Sequence, residues 1–270
     1  MRLPFLPTGT RLLALSALVS LSGCTTLTSP SSQDKITPIT ASTNWQFEAG
    51  SSITPTGALL TGTMQIQGSQ VTGTFQSTIG LCGEVTPQPV SFAGTYNPTT
   101  GALNIKPTSI PFVDVNVVIP ADPTQMASGT ISATGIVCAL AFQGPGVGVE
   151  VPTLTGTYAG TLADTQPTPA PGVQPGTATL TLTQSTTPNA NAQFPLTGTF
   201  QFTSSACSAS VPVAGTISGV GFTLTSTGST AVTITGADAS GGGALTISSV
   251  YFPSGPCPSF ASYTGTLTLQ

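Results

Sequence analysis

Hydrophobic and polar residues alternate along most of this chain. In Val71–Gln76 the apolar and small residues fall on one side and the polar residues on the other, and Thr179–Thr183 and Tyr263–Leu269 alternate in the same way. A period of two is typical of half-buried antiparallel strands, whose successive side chains point to opposite faces of a sheet. Clusters of Gly, Pro and Asn interrupt this pattern at short intervals, as hairpin turns require. The pattern therefore predicts an all-β protein.

The alternating segments belong to an internal repeat. Val71–Cys82 aligns without a gap on Leu196–Cys207, and seven of the twelve positions are identical. Further matches follow in the same order, and the two copies close on the related pentads Tyr158–Leu162 and Tyr263–Leu267. Ordered matches of this kind predict two tandem copies of one structural unit. We place the first unit at 43–157 and the second at 158–270.

Each unit has room for about eight short antiparallel strands, which suits small barrels or, as the alternative, two-sheet sandwiches. We favour barrels, because few charged side chains are available to protect exposed sheet edges. In the first copy the strands are predicted near 44–49, 57–67, 70–79, 89–96, 101–106, 112–119, 127–134 and 153–162. In the second copy they are predicted near 155–163, 176–184, 195–203, 210–217, 220–226, 230–236, 243–252 and 261–269.

Two neighbouring segments at the junction between the copies each allow two interpretations. Residues 153–163 occur in both sets of strands, either as one shared strand or as a long strand that crosses between the units. Residues 143–152 are rich in Gly and are predicted to form a flexible loop, with a binding lip as the alternative.

Composition excludes several classes of function. Only 4% of the residues are charged, whereas soluble domains average about 25%. Lys35 and Lys106 are the only basic residues after position 24, and they face eight acids, so the formal charge of that part is −6. Nucleic-acid binding depends on cations that neutralise phosphates, and two lysines are too few. Because the chain has no His, it has no Ser-His-Asp triad and no imidazole ligand for zinc. We expect no enzyme, no cofactor and no metal site.

The N-terminal segment has the pattern of an export signal. Arg2 and Arg11 precede an apolar run at 12–21 that is too short to span a bilayer, which indicates a secretory signal peptide. The run ends in Leu21-Ser22-Gly23-Cys24, which resembles the lipobox of bacterial lipoproteins. An ordinary signal peptide with a chance Cys is the alternative.

The lipobox resemblance implies that residues 1–23 are removed and that Cys24 is acylated and becomes the new N-terminus. Thr25 follows, and because it is not Asp, the sorting habit of lipoproteins favours the outer membrane. Acyl chains on Cys24 would hold the protein at a membrane without a spanning helix. Residues 24–42 are rich in Thr, Ser and Pro and are predicted to form a flexible tether between the lipid and the first unit.

The four remaining cysteines fit an oxidising compartment. The repeat predicts that Cys82 pairs with Cys138 and Cys207 with Cys257. In an up-and-down unit the third and seventh strands run in the same direction, and each Cys follows one of them, so both thiols of a pair reach the same rim. A metal or redox site is the alternative, but no Cys-x-x-Cys spacing supports it.

Trp45 is the only Trp, and it lies at the start of the first predicted strand. A Trp at this place resembles the pattern of lipocalins, which are small β-barrels, and Tyr158 takes that place in the second copy. The residue either plugs one end of the barrel or lines a ligand pocket, because an eight-stranded barrel is filled by side chains or holds one small ligand. Trp45 and Tyr158 are therefore candidate ligand-binding residues.

Asp122 and Asp238 are the only acids at matching places of the two copies, and each follows an Ala at the end of a predicted strand. A turn-forming Asp is the simplest interpretation, and calcium binding is a poorer one because isolated carboxylates supply few ligands.

The combined features predict a lipid-anchored cell-envelope protein with a binding or surface role. Its Thr-rich and Ser-rich faces suit a small apolar ligand or a neutral glycan. The alternatives are a structural scaffold of the envelope, a membrane-spanning β-barrel, or a hydrolase that uses carboxylates such as Glu84, Asp114 and Glu150.

Overall fold

The computed structural model describes residues 42–270 apart from 53–57, 79–87, 110–112, 123–124, 134–141, 166–174, 206, 239, 254–256 and 258–261. The described part contains sixteen β-strands and no helix. The strands of the first half are β1 (Thr43–Ala49), β2 (Ala58–Gln67), β3 (Gln70–Ser77), β4 (Pro89–Tyr96), β5 (Ala102–Pro107), β6 (Val113–Val118), β7 (Ala127–Ala133) and β8 (Phe142–Val151). Those of the second half are β9 (Gly156–Asp164), β10 (Gly176–Gln184), β11 (Phe194–Thr203), β12 (Ser208–Ser218), β13 (Gly221–Ser226), β14 (Thr233–Asp238), β15 (Ala244–Tyr251) and β16 (Ser262–Leu269).

The strands form two tandem closed barrels of eight antiparallel strands each. Within each barrel, strands that follow one another in the chain pair with each other, and pairing of β1 with β8 closes the first barrel. The second barrel closes where β16 pairs with β9. The predicted all-β fold and the preference for barrels over sandwiches are thus confirmed. Closure gives each described strand a hydrogen-bonded partner on both sides, so that neither barrel has an open edge strand in the described part of the chain.

The alternating pattern decides which side chains fill each barrel. In β6, for example, Val113, Val115 and Val117 are buried, while Asp114 and Asn116 between them face outward. In the first barrel a chain of aromatic contacts joins Trp45, Phe47, Phe75 and Phe92, with ring centroids 5.8, 5.7 and 5.2 Å apart. Burying each such ring contributes about 1.5–3 kcal/mol, so these cores are the main source of stability.

The second barrel has its own core with a different aromatic centre. Phe202, Phe252 and Tyr263 pack together, and the ring centroids of Phe202 and Tyr263 are 4.6 Å apart. All three side chains are fully buried. The repeat therefore conserves the barrel, while the aromatic rings occupy different parts of the two interiors.

The eighth strand of the first barrel corrects the sequence analysis. Residues 143–152 were expected to form a loop, but nine of these ten belong to β8. Residues 153–163 were expected to contribute a strand to both units, but the strand in this region, β9, belongs to the second barrel. Among the described strands, β9 pairs with β10 and β16 of the second barrel and with no strand of the first. The glycines of β8 indicated a loop, yet two of them, Gly146 and Gly148, lie where neighbouring side chains leave no space: a Cβ on Gly148 would lie 2.7 Å from the ring of Phe47. Small residues are needed there for packing across strands, which local propensity does not reveal.

The outer wall of the first barrel contacts the second barrel through Gln46. The Gln46 side chain faces outward, because Trp45 and Phe47 on either side of it point into the core, yet it is fully buried. Its Oε1 accepts hydrogen bonds from the Ser218 hydroxyl at 3.0 Å and from the Gly219 backbone N–H at 2.7 Å. Gly219 lies in the turn between β12 and β13 with a φ of 57°, a conformation that glycine adopts without strain.

Candidate functional site

Trp45 and Tyr158 are both core residues. Trp45 is 3% exposed, stacks on Phe47, and donates its indole N–H to Thr43 Oγ1 at 2.8 Å. Tyr158 is fully buried, and its hydroxyl donates to the Gly242 carbonyl at 3.1 Å. Burial raises the pKa of Tyr158, and the negative charge of Asp238 adds to the effect. Both polar atoms are thus satisfied within the protein, which fits a plugging role for these two side chains.

Cys207 and Cys257 form a disulfide, as the repeat predicted. Their Cα atoms are 5.0 Å apart, and the bond joins residues 50 positions apart in the chain. Cys207 follows β11 and Cys257 follows β15, which are the third and seventh strands of the second barrel. Their proximity at one rim confirms the topological argument. Cys24, Cys82 and Cys138 lie outside the described residues.

Asp122 and Asp238 bond within their own turns. The Gly242 backbone N–H donates to Asp238 Oδ1 at 2.8 Å, and the Gln125 side chain donates to Asp122 Oδ2 at 3.3 Å. These contacts match the turn-forming interpretation. Within the described ranges, no group of three His, Cys, Asp or Glu residues is arranged to hold a metal ion.

Two of the three candidate carboxylates lie on opposite faces of the first barrel wall. Asp114 faces outward and forms an ion pair with Lys106, with 3.1 Å between Nζ and Oδ2. Glu150 pairs with Trp45 across β8 and β1, which places it on the inner side of the wall, yet its side chain stays exposed to solvent. Partial desolvation raises the pKa of its carboxyl. A pair of cooperating carboxylates must flank one bond, and these two do not. Glu84 lies outside the described residues.

A groove with a volume of about 340 Å³ runs across β4–β7 on the outer wall of the first barrel. We call it groove 1. It is open to solvent, and its outward-facing lining includes Thr95, Asn104, Asn116, Val118 and Ser128. None of the described residues that line it is charged. Val118 is 49% exposed and gives the groove an apolar patch beside the amides.

A hydrogen-bonded network fixes the two amides of groove 1. Asn104 Nδ2 donates to Asp114 Oδ1 at 3.1 Å and to Asn116 Oδ1. Asp114 is held in turn by its ion pair with Lys106. The network therefore orients the Asn104 and Asn116 side chains before any ligand arrives, and the exposed ion pair itself contributes little to stability.

The second barrel carries an equivalent groove across β12–β15, with a volume of about 230 Å³. We call it groove 2. In groove 1 the register aligns Thr95 with Asn104 and Asn104 with Asn116. In groove 2 the same register aligns a row of hydroxyls, Thr216, Thr223 and Thr235.

The polar groups of groove 2 differ in kind from those of groove 1. Thr235 Oγ1 lies 3.0 Å from Ser248 Oγ, and Ser248 also donates to the Thr235 carbonyl at 3.0 Å. Ser218, another residue of groove 2, is the side chain that donates to Gln46 of the first barrel. Groove 2 is likewise lined without a charged side chain in the part of the chain that the structure describes.

Asn104 and Asn116 were not among the site residues predicted from the sequence. One signal was present: Asn is depleted in strands, and both residues occupy outward positions of alternating strand patterns. Their proximity depends on the pairing of β5 with β6, and the depth of the groove depends on the wall beneath it. Neither follows from the sequence pattern.

The fold and grooves define a tandem-barrel protein with packed interiors and neutral polar grooves on its outer walls. Comparisons with protein-family models, with curated proteins and with solved structures find no match. Among the described residues, no helix is long and apolar enough to cross a membrane.

Proposed function

We propose that this chain is a lipid-anchored cell-envelope protein that acts by binding and not by catalysis. Acylation at Cys24 would supply the anchor, and Thr25 favours the outer membrane as its destination. The tether of residues 24–42 would separate the lipid from the first barrel. The support for this part of the proposal comes from the sequence, since residues 1–41 lie outside the described part.

The binding role depends on one observation, namely the equivalent neutral grooves on the two outer walls. Their lining consists of amides, hydroxyls and apolar groups. Such groups exchange hydrogen bonds with uncharged polar ligands, whereas an anionic ligand would need cations that the grooves do not offer. The supported ligand class is therefore neutral and rich in hydroxyl groups.

Lipid anchoring is tested by labelling cells with radioactive palmitate. We expect the wild type to incorporate label and Cys24→Ala to lose it, while Thr25→Ser, which keeps the acceptor thiol, remains labelled. Membrane fractionation then tests the destination: Thr25→Asp should move the protein to the inner membrane. Label that persists in Cys24→Ala would refute the anchor.

Binding is tested by titrating the purified full-length protein against neutral glycans, lipid vesicles and a detergent extract of the envelope. We expect saturable binding to a neutral hydroxyl-rich component. Absence of saturable binding to all three would refute the binding role.

A scaffold role is the second candidate, and the buried contact of Gln46 with Ser218 and Gly219 favours it. Bonds between the barrels oppose their independent movement, as a spacer or assembly element requires. A membrane-spanning barrel is disfavoured because most side chains inside these barrels are apolar and most of those outside carry hydroxyls or amides, the reverse of the usual arrangement. A carboxylate hydrolase is disfavoured by the opposite placement of Asp114 and Glu150.

A further inference from the structure

We infer that groove 1 binds a neutral glycan through the paired amides of Asn104 and Asn116, and that groove 2 is a second subsite for the same chain. This inference rests on the proposed binding function and specifies where the ligand lies and what it is.

The network in groove 1 uses only part of each amide. Asn104 Nδ2 donates to Asp114 and Asn116, which leaves Asn104 Oδ1 as an acceptor. Asn116 Oδ1 accepts from Asn104, which leaves Asn116 Nδ2 as a donor. Within the described residues no hydrogen bond is formed by either remaining atom. The pair therefore presents one acceptor and one donor side by side, in fixed positions.

Neighbouring hydroxyls of a sugar match this arrangement. Each hydroxyl is both a donor and an acceptor, so one can donate to Asn104 Oδ1 while the next accepts from Asn116 Nδ2. Val118 offers an apolar surface beside the amides for the C–H face of a sugar ring. The volume of about 340 Å³ lies within the range of small-ligand sites.

The charges near groove 1 favour a neutral sugar over an acidic one. Lys106 is the one cation in the network, and it is already paired with Asp114. A uronic acid or a phosphorylated sugar would therefore meet the Asp114 carboxylate without a free cation to offset it.

The duplication of the groove points to a repeating ligand. Thr216, Thr223 and Thr235 hold the positions that Thr95, Asn104 and Asn116 hold in the first barrel. A polymer long enough to reach both grooves would be bound more tightly than by either groove alone. Hydroxyls replace the amides in groove 2, so we expect it to be the weaker subsite.

The test uses full-length protein in a zwitterionic detergent, because detergents with sugar headgroups would compete. Isothermal titration is carried out with hexasaccharides of glucose, mannose and N-acetylglucosamine, and with hexagalacturonate as the acidic control. The variants are Asn104→Ala and Asn116→Ala in groove 1, and Thr223→Val in groove 2. Gln65→Ala is the matched control, since Gln65 is an exposed outward amide of the same barrel outside the groove.

We expect a neutral hexasaccharide to bind saturably, and each Asn variant to weaken binding about three- to tenfold, as the loss of one hydrogen bond predicts. Thr223→Val should weaken the binding of the long parent polysaccharide and leave the hexasaccharide almost unchanged. Gln65→Ala should bind like the wild type. Thermal unfolding checks that each variant is folded, and Asn116→Asp offers a second, isosteric loss of the donor.

The outcomes separate this inference from the proposed function. Binding of a neutral hexasaccharide that Asn104→Ala, Asn116→Ala and Asn116→Asp leave unchanged overturns the inference and leaves the binding role in place. The inference is also overturned, and the binding role kept, if hexagalacturonate binds more tightly than the neutral hexasaccharides. The same conclusion follows if saturable binding is seen only to a non-glycan component of the envelope extract. Absence of any saturable binding, extract included, overturns both.

Discussion

Trp45 and Tyr158 hold the same register position in the two barrels. Trp45 lies opposite the β2 residue that in turn faces Phe75. Tyr158 lies opposite the β10 residue that faces Phe200. Phe75 and Phe200 are identical members of the repeated segment, so the equivalence expected from the sequence is present in the three-dimensional pairing. The repeat thus extends to the first strand, where the sequences themselves no longer match.

At this position the two barrels differ in the size of the side chain, and the residue opposite on the neighbouring strand compensates for the difference. Trp45, the larger ring, faces Gly62, whereas Tyr158 faces Leu180. Exchange of a large and a small residue between neighbouring strands keeps the filled volume similar, which is the kind of change that packed cores tolerate. In the same way, Gly146 and Gly148 of β8 leave room for the larger side chains of Ile131 and Phe47 on neighbouring strands.

Gly148→Ala should destabilise the first barrel by about 1–3 kcal/mol, because the new Cβ would lie 2.7 Å from the ring of Phe47 in a packed core. Gly144→Ala is the matched control in the same strand, since a Cβ there meets nothing within 4 Å. The control should be neutral or more stable by up to about 1 kcal/mol. Urea unfolding followed by Trp45 fluorescence measures both. Equal stability of the two variants would contradict the assignment of β8 to the barrel wall.

Much of the fold was predictable from the sequence because each strand carries its own alternating pattern. In β6, burial of Val113, Val115 and Val117 follows directly from that alternation. Strand β8 was missed because its residues are chosen by side chains from other strands, Phe47 and Ile131 among them. Local patterns cannot reveal a glycine that is required by a distant ring.

The candidate site was predictable only in its chemistry. A surface of hydroxyls and amides with few charges follows from composition, whereas the placement of Asn104 beside Asn116 follows from strand register. The contact of Gln46 with the second barrel is equally invisible, because an outward Gln in an alternating strand is normally exposed. Pairing of Cys82 with Cys138 stays a prediction.

Removal of the Cys207–Cys257 bond should lower the stability of the second barrel. On the loop-entropy estimate, a bond that closes 50 residues contributes about 4 kcal/mol. The double variant Cys207→Ala/Cys257→Ala avoids leaving an unpaired thiol. We expect its urea midpoint, followed by far-UV circular dichroism, to fall well below that of the oxidised wild type.

The double variant, measured with and without reductant, also tests whether Cys82 and Cys138 are bonded in the first barrel. If Cys82 and Cys138 are bonded, reductant lowers the stability of the first barrel in this variant, and Trp45 fluorescence reports the fall. An oxidised wild type no more stable than the double variant would contradict a stabilising role for the Cys207–Cys257 bond.

Tyr263 should make the second barrel sensitive to alkali. Burial raises its pKa, and the charge of Asp164 raises it further. An unfolded Tyr ionises near pH 10, so above that pH the unfolded state loses its proton first and folding stability falls. The stabilising contribution is complete below about pH 10 and is lost as the pH rises through the higher folded pKa.

Tyr263→Phe should flatten the loss of stability above pH 10. At neutral pH we expect the variant to be as stable as the wild type or slightly more so, because the Tyr263 hydroxyl has no hydrogen-bond partner among the described residues. Tyr251→Phe is the control, since Tyr251 is 42% exposed. Urea unfolding from pH 7 to 11 measures the slope. Identical slopes for the wild type and Tyr263→Phe would refute the prediction.

Gln46→Leu should uncouple the two barrels. The substitution keeps a side chain of similar size but removes the acceptor for Ser218 and for the buried Gly219 N–H, which costs about 1–3 kcal/mol. Loss of the Gln46 Nε2, which has no partner within the described ranges, offsets part of that cost, so we expect a net loss of about 1–2 kcal/mol.

Trp45 fluorescence reports only the first barrel, whereas far-UV circular dichroism reports both. In the wild type the two urea transitions should coincide, in Gln46→Leu they should separate, and in the exposed control Gln65→Leu they should stay together. Coincident, unshifted transitions in Gln46→Leu would show that the contact does not couple the barrels.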